Sequence, residues 1–267
     1  MADRRSESWN SVQSVDRSAL VLGCFSIEHP IRTLSELVEL TGLPKTTVHR
    51  LVGALANLGL LVRNDTGRYR LGPRLMELGD IARLGFPVYR NSEELLRLLA
   101  ADTGMVAFLA IPVGIDALYI SRSDGGSVTR DRHIPIGARL PLILGASPVA
   151  MLAFSEPELI EDALARPVQP RTRYSVVDPD LVRARLEGIR GDGYAISRRD
   201  VHEETIGIGA PVFGPGRVVV GGISVGSSAS EWRGLEMADL ARRVLRAAAE
   251  LSQSLGYVSD RLMSRAF

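Results

Sequence analysis

The chain has 267 residues, 45% of them apolar and 5% aromatic, with 32 Lys and Arg against 31 Asp and Glu. The length predicts two domains, and no run of ~18 uncharged apolar residues is present to cross a membrane as a helix. A single cysteine, Cys24, excludes an internal disulfide and a thiolate metal cluster, and the polar start MADRRSESWNSVQS lacks the apolar region of a secretion signal, so a cytoplasmic protein is expected.

The near balance of charge is uneven along the chain. Residues Met1–Arg74 carry ten Lys and Arg against seven Asp and Glu, a net +3, while the remainder nets −2. A basic front segment permits contact with a polyanion. Lys45 is the only lysine; every other cation is arginine.

Taken in order, Val15–Phe25 predicts a helix, with Ser14 as N-cap and Asp16 in the first turn. Cys24, beside Val21, Leu22 and Phe25, reads as a small core residue. From Leu34 to Asn57 two short helices are expected. Leu34, Leu37, Val38 and Thr41 make one stripe, closed by Gly42. Pro44 then suits the first turn of a second helix, in which Val48, Leu51, Val52 and Leu55 form a narrow buried face. The other side carries Lys45, Thr46, Thr47, His49, Arg50, Gly53 and Asn57. Small, polar and basic side chains of this kind enter a major groove, where arginine reads guanine and threonine reaches bases or phosphates. Leu60–Arg63 and Arg68–Leu71 are strand-like, with Asn64-Asp65-Thr66-Gly67 as the turn between them. Three helices followed by a hairpin make a winged helix-turn-helix, and Arg63, Arg68 and Arg70 on the hairpin would meet phosphates or the minor groove.

Pro73–Leu84 predicts a further helix, broken by Gly85-Phe86-Pro87 and read as a linker with scope for a dimer contact. Beyond it the pattern changes. A helix at Ser92–Thr103 leads to strands Val106–Pro112 and Ala117–Ser121, then to the arginine-rich stretch Val128–Arg139 and a loop into a helix, LPLILGASPVAMLAF. Helices follow at Pro157–Leu164 and Pro179–Arg190, strands at Tyr194–Ser197, Ile206–Phe213 and Arg217–Val225, and a closing helix at Leu235–Leu255. Strands that meander with helices outside them predict an α+β domain with an antiparallel sheet, not a doubly wound one.

Catalytic constellations are wanting. Gly222-Ile223-Ser224-Val225-Gly226 matches G-x-S-x-G, but a nucleophile elbow needs a strand, a sharp turn and an immediate helix, with a histidine later in the chain. Here Ser224 falls inside an apolar strand and no histidine follows His202. His29, His49, His133 and His202 lack metal-ligand spacing. Asp200, Glu203 and Glu204 around His202 admit a cation site, against the plainer reading of a solvated loop. No phosphate-binding glycine loop occurs, and no cofactor or metal is expected.

The segments SVDRSALVLGCF, LSELVELTGLPKTTVHRLVGALANLGLLVR and TGRYRLGPRLMELG resemble, in order and spacing, the DNA-binding half of IclR-type transcriptional regulators. Farther on, GARLPL, AMLAF, GYAIS, GAPVF and GISV are similar to that family's C-terminal half. The resemblance implies a winged helix-turn-helix at 12–74, a linker helix at 75–87 and a GAF-like effector-binding domain at 88–258. It further implies a homodimer or dimer of dimers on a palindromic double-stranded operator, with no membrane partner, answering to a small-molecule effector of the organic or aromatic acid class.

In family members that bind small carboxylates, the pocket positions fall here on Leu142, Ala146, Ser147, Ser197, Gly207, Ser224 and Gly226. Serine hydroxyls and backbone N–H groups suit a carboxylate. The chain departs from the pattern in places. Pro148-Val149-Ala150 stands where the family has Gly-Lys-Ala, Glu204 stands where a glycine precedes the APV strand, and Ser197 and Gly226 differ from the polar residues expected there. Two other functions compete with a ligand-responsive transcription factor. One is a small-acid-processing enzyme with a front docking module, and the other a DNA-binding protein whose C-terminal domain only oligomerises.

Overall fold

The computed structural model describes residues 12–126, 134–230, 232 and 237–258. The chain divides into two compact units between Gly85 and Phe86.

In the front unit, α1 (Gln13–Leu22) starts earlier and stops sooner than the sequence predicts. Val12 stands at its N-cap with no side-chain cap, and Ser14 lies inside the helix, its carbonyl accepting from Ser18 Oγ at 2.7 Å. Cys24 and Phe25 fall beyond the helix and turn onto the core formed by Val21, Leu37, Val48, Val52, Leu55, Leu61 and Tyr69. A two-residue strand, β1 (Ile31–Arg32), precedes α2 (Leu34–Thr41). The α2 start is a capping box: Glu36 N–H donates to Thr33 Oγ1, and the Glu36 carboxylate accepts from Thr33 N–H at 2.7 Å. Gly42, at φ 65, closes α2 in the left-handed region that favours glycine. Pro44 is the N-cap of α3 (Lys45–Asn57). The hairpin β2 (Leu61–Arg63) and β3 (Tyr69–Leu71) is one residue shorter at each strand start than expected, and β1 joins it as a third antiparallel strand in the order β1-β3-β2. Helix α4 (Pro73–Leu84) clusters with this unit.

In the back unit, α5 spans Pro87–Thr103, so Pro87 begins a helix that the sequence places from Ser92. Proline suits the first helical turn, where its missing N–H costs nothing. Strands β4 (Val106–Val113) and β5 (Asp116–Ser123) form a hairpin, and β6 (Arg139–Pro141), a strand not anticipated, pairs with β5. Residues 127–133, holding His133 and most of the arginine-rich stretch, lie outside the described residues. Helices α6 (Ala146–Ala153), α7 (Pro157–Ala165) and α8 (Pro179–Asp192) follow. Then come β7 (Ala195–Arg198), β8 (Thr205–Phe213), β9 (Val219–Ser228) and α9 (Met237–Ser254). β9 begins after Arg217, which adopts φ 63 within a 3-10 turn.

The six strands form one antiparallel sheet, β6-β5-β4-β9-β8-β7, so β4 and β9 meet in its middle. Alternation along β4 sends Val106, Phe108 and Ala110 to one face and Ala107, Leu109 and Ile111 to the other. The first face packs under α6, α7 and α8; the second under α5 and α9. Helices cover both faces of the sheet, and the observed class is α+β with an antiparallel sheet.

Candidate functional site

Two surfaces carry polar groups that the cores do not use. On α3, Val48, Val52 and Leu55 are buried, and this fixes the helix's rotation. Lys45, Thr46, His49, Arg50 and Asn57 are consequently exposed, with Thr47 half-buried among them. Gly53 has open space where a Cβ would stand.

The hairpin turn is built by Asn64, whose Oδ1 accepts from Arg68 N–H and from Thr66 Oγ1, both at 2.8 Å. Arg68 and Arg70 are exposed beside it. Arg63 is also exposed, but its guanidinium lies 5.9 Å from the Tyr69 ring centroid and beside Gly67, folded along the hairpin. The Thr33 N–H and hydroxyl, with Arg32 at 3.6 Å and the charge of Arg68, hold the Glu36 carboxyl below its usual range. Capping groups thus tie β1, the start of α2 and the hairpin into one polar cluster.

In the back unit a cavity of about 650 Å³, counted with the part open to solvent, lies between the first sheet face and the start of α6. Beside it, α6 sits directly on glycines of the sheet. A Cβ on Gly209 would come 2.4 Å from Ser147 N, and one on Gly222 would come 3.0 Å from the Ser147 carbonyl oxygen. Phe108 and Tyr119, edge to face at 5.8 Å, make an aromatic wall, and Val201, Ile206 and Ile134 complete the apolar lining. His202, Glu204 and Thr205 contribute polar groups, and among the described residues no Lys or Arg lines it.

Of the seven pocket positions, Ala146, Ser197, Gly207, Ser224 and Gly226 line this cavity. Ser147 is fully buried behind it, its Oγ accepting from Ser224 Oγ at 3.3 Å and bonded to the Tyr119 hydroxyl. Burial pushes the Tyr119 phenol far above its usual range and keeps it protonated. Leu142 is a core residue whose N–H donates to the Ile115 carbonyl at 3.1 Å, and it does not reach the cavity. Pro148 stands in the first turn of α6, where the lost N–H leaves no helical bond unmade.

Beneath the lining lies Asp200, 2% exposed. One carboxylate oxygen accepts from the Ser197 hydroxyl. The other accepts from Gly145 N–H at 3.3 Å and from Arg185 Nη1 at 3.4 Å. Asp200 is therefore committed to its own shell and does not join His202 in a cation site. Among the described residues no three His, Cys, Asp or Glu side chains converge as a metal site would require.

Comparison with known proteins gives this geometry a family. A model of the bacterial transcriptional regulator IclR C-terminal domain matches residues 85–253, and one of the IclR helix-turn-helix domain matches residues 14–65. The chain belongs to the IclR family. HTH-type transcriptional regulator KipR of Bacillus subtilis is 30% identical over 249 residues, covering 93% of this chain and 99% of its own. XynR of Escherichia coli is 26% identical over 250 residues, covering 92% and 98%. An IclR transcriptional regulator from Silicibacter sp. TM1040 superposes with a TM-score of 0.83 at 27% identity, covering 92% of this chain and 97% of its own. An IclR homolog from Microbacterium hydrocarbonoxydans, solved with 4-hydroxybenzoate, gives 0.77 at 24% identity, covering 91% and 98%.

This IclR-family chain is a transcriptional regulator with a helix-turn-helix and a C-terminal effector-binding domain, and not an enzyme. Ser224 of GISVG lies mid-strand in β9, paired with Phe108 and Gly209 across the sheet, where no elbow forms. Sequence reasoning missed Phe108, Tyr119, Asp200 and Arg185 as parts of the cavity region. For Phe108 and Tyr119 the available signal was strand alternation, which aims both at the same face. For Asp200 and Arg185 there was none, because their pairing depends on how α8 returns beneath the turn after β7.

Proposed function

We propose that this IclR-family regulator reads a palindromic operator as a homodimer or a dimer of dimers in the cytoplasm, and that a small organic molecule in the cavity beside α6 adjusts its grip on DNA. Lys45, Thr46, Thr47, His49, Arg50 and Asn57 enter the major groove, while Arg68 and Arg70 meet the backbone. Arg63 needs only to swing off Tyr69 to join them. The 4-hydroxybenzoate of the Microbacterium relative is an aromatic acid, the effector class that the resemblance implies. The effector acts by favouring one of two dimer geometries, which requires different affinities for the two.

The observation that carries this reading is the cavity itself, in which an apolar wall and several hydroxyls converge at the start of α6. Self-association is supported by α4, which has no buried residue and exposes Met76, Leu78, Ile81 and Leu84. A second copy of the chain packed on this helix would bury those side chains.

Selection of binding sites from random duplexes by the full chain tests the DNA half. An inverted repeat with half-sites about 10–10.5 bp apart, or a multiple of that, is expected. An asymmetric site bound by a monomer would sink the dimer reading.

A further inference from the structure

We infer that Ser197 selects effectors that carry a hydrogen-bond donor, a hydroxyl or an amide N–H, because Asp200 and Arg185 hold its own proton away from the cavity. This rests on the cavity being the effector site.

A serine hydroxyl has one proton and two lone pairs. In Ser197 the proton is given to Asp200 Oδ1. The other oxygen of Asp200 is occupied by Gly145 N–H at 3.3 Å and the Arg185 guanidinium at 3.4 Å and 3.5 Å. Both oxygens of Asp200 are thus engaged as acceptors, one by Ser197 and the other by Gly145 and Arg185. Arg185 is itself fixed, since its Nη2 donates to the Ile196 carbonyl, one residue before Ser197, at 2.6 Å. Turning the Ser197 proton into the cavity would leave a buried carboxylate oxygen short of a partner, which is disfavoured. Ser197 therefore shows the cavity its lone pairs.

Another lining hydroxyl is arranged alike. Ser224 Oγ donates outward to Ser147, so its lone pairs also remain for the cavity. Two lining hydroxyls thus turn lone pairs toward an apolar wall. A ligand hydroxyl or N–H completes these groups; an ether or N-methyl group of the same shape sets lone pair against lone pair. Sites built to pair a polar group reject the analogue lacking it far more strongly than a change of one methylene would explain.

The test uses the full chain, thermal denaturation and matched pairs: 4-hydroxybenzoate with 4-methoxybenzoate, benzyl alcohol with benzyl methyl ether, 2-pyrrolidone with N-methyl-2-pyrrolidone. Donor members should stabilise by mass action and bind at least about tenfold tighter than their methylated partners. Ser197→Ala should erase the difference. In Asp200→Asn the new amide can donate to Ser197 Oγ, freeing the serine proton for the cavity. The methylated members should then gain on the donors, which a merely structural role for Asp200 would not produce. Equal binding within pairs in the native chain, or discrimination that survives Ser197→Ala, overturns the inference and leaves the effector site standing. If no member of any pair binds, the effector site falls and the inference with it.

Discussion

A Cβ on Gly209 would stand 2.4 Å from the backbone nitrogen of Ser147, closer than any side chain tolerates. The first turn of α6 and the middle of β8 are seated backbone to backbone. Gly209→Ala should lift α6 and cost about 1–3 kcal/mol, the usual range for overpacking. Differential scanning calorimetry would register this as a lower transition; an unchanged profile would mean that α6 is not held by this contact.

Thr33 caps α2 through its hydroxyl, and Thr33→Ala should cost about 1 kcal/mol. Glu36, the reciprocal partner, has its carboxyl pulled down chiefly by the Thr33 backbone N–H. A lowered folded value means that the contribution is complete above the ordinary glutamate value of 4.5 and is lost as pH falls through the folded value. Glu36→Gln should therefore flatten the acid limb of the front unit's stability curve, and urea titrations at several acidic pH values would read it.

Arg50 and Arg68 should behave differently on DNA. If Arg50 reads a base, Arg50→Ala lowers operator affinity by about 1–3 kcal/mol and hardly changes random-sequence binding. If Arg68 meets a phosphate, Arg68→Ala weakens both alike and reduces the salt slope by about one. Anisotropy titrations at a series of salt concentrations separate the two, and identical behaviour of the variants would remove the base-reading role.

Leucine at position 224 would fill the cavity from β9. Ser224→Leu should abolish the thermal shift given by any compound that stabilises the native chain, with DNA binding serving as the check on folding. A surviving shift would place the effector elsewhere.

Charge on the outer side of α4 should disperse the assembly. Ile81, 64% exposed, has no partner within the front core. Ile81→Asp is expected to move sedimentation toward the monomer, and a native-like profile would clear α4 of any part in self-association.

The reading helix was legible because its signals are local. Gly42, Pro44 and the spacing of Val48, Val52 and Leu55 lie within a few turns of one another, so short-range rules fix the pair. The capping box Thr33-Leu34-Ser35-Glu36 was equally local and was overlooked. β1 and β6 were hidden for another reason: each is only two or three residues long and owes its existence to a neighbour far along the chain, Tyr69 for Arg32 and Ala117 for Leu140. Around the cavity, a family resemblance led to Ala146, Ser197, Gly207, Ser224 and Gly226. It could not separate these from Leu142 in the core, since apolar and small residues line pockets and fill interiors alike. The Ser197–Asp200–Arg185 chain lay beyond both routes, because it depends on a helix and a turn brought together by the fold.

The meeting of β4 with β9 in the centre of the sheet has a consequence in time. Strand β4 cannot find its inner partner until nearly the whole second unit has left the ribosome, whereas every contact in the front core closes within the first stretch to emerge. Such delayed pairing slows folding, and units of a chain generally fold as they emerge. For an interval in each synthesis, then, a finished DNA-reading head exists with no sensor to govern it.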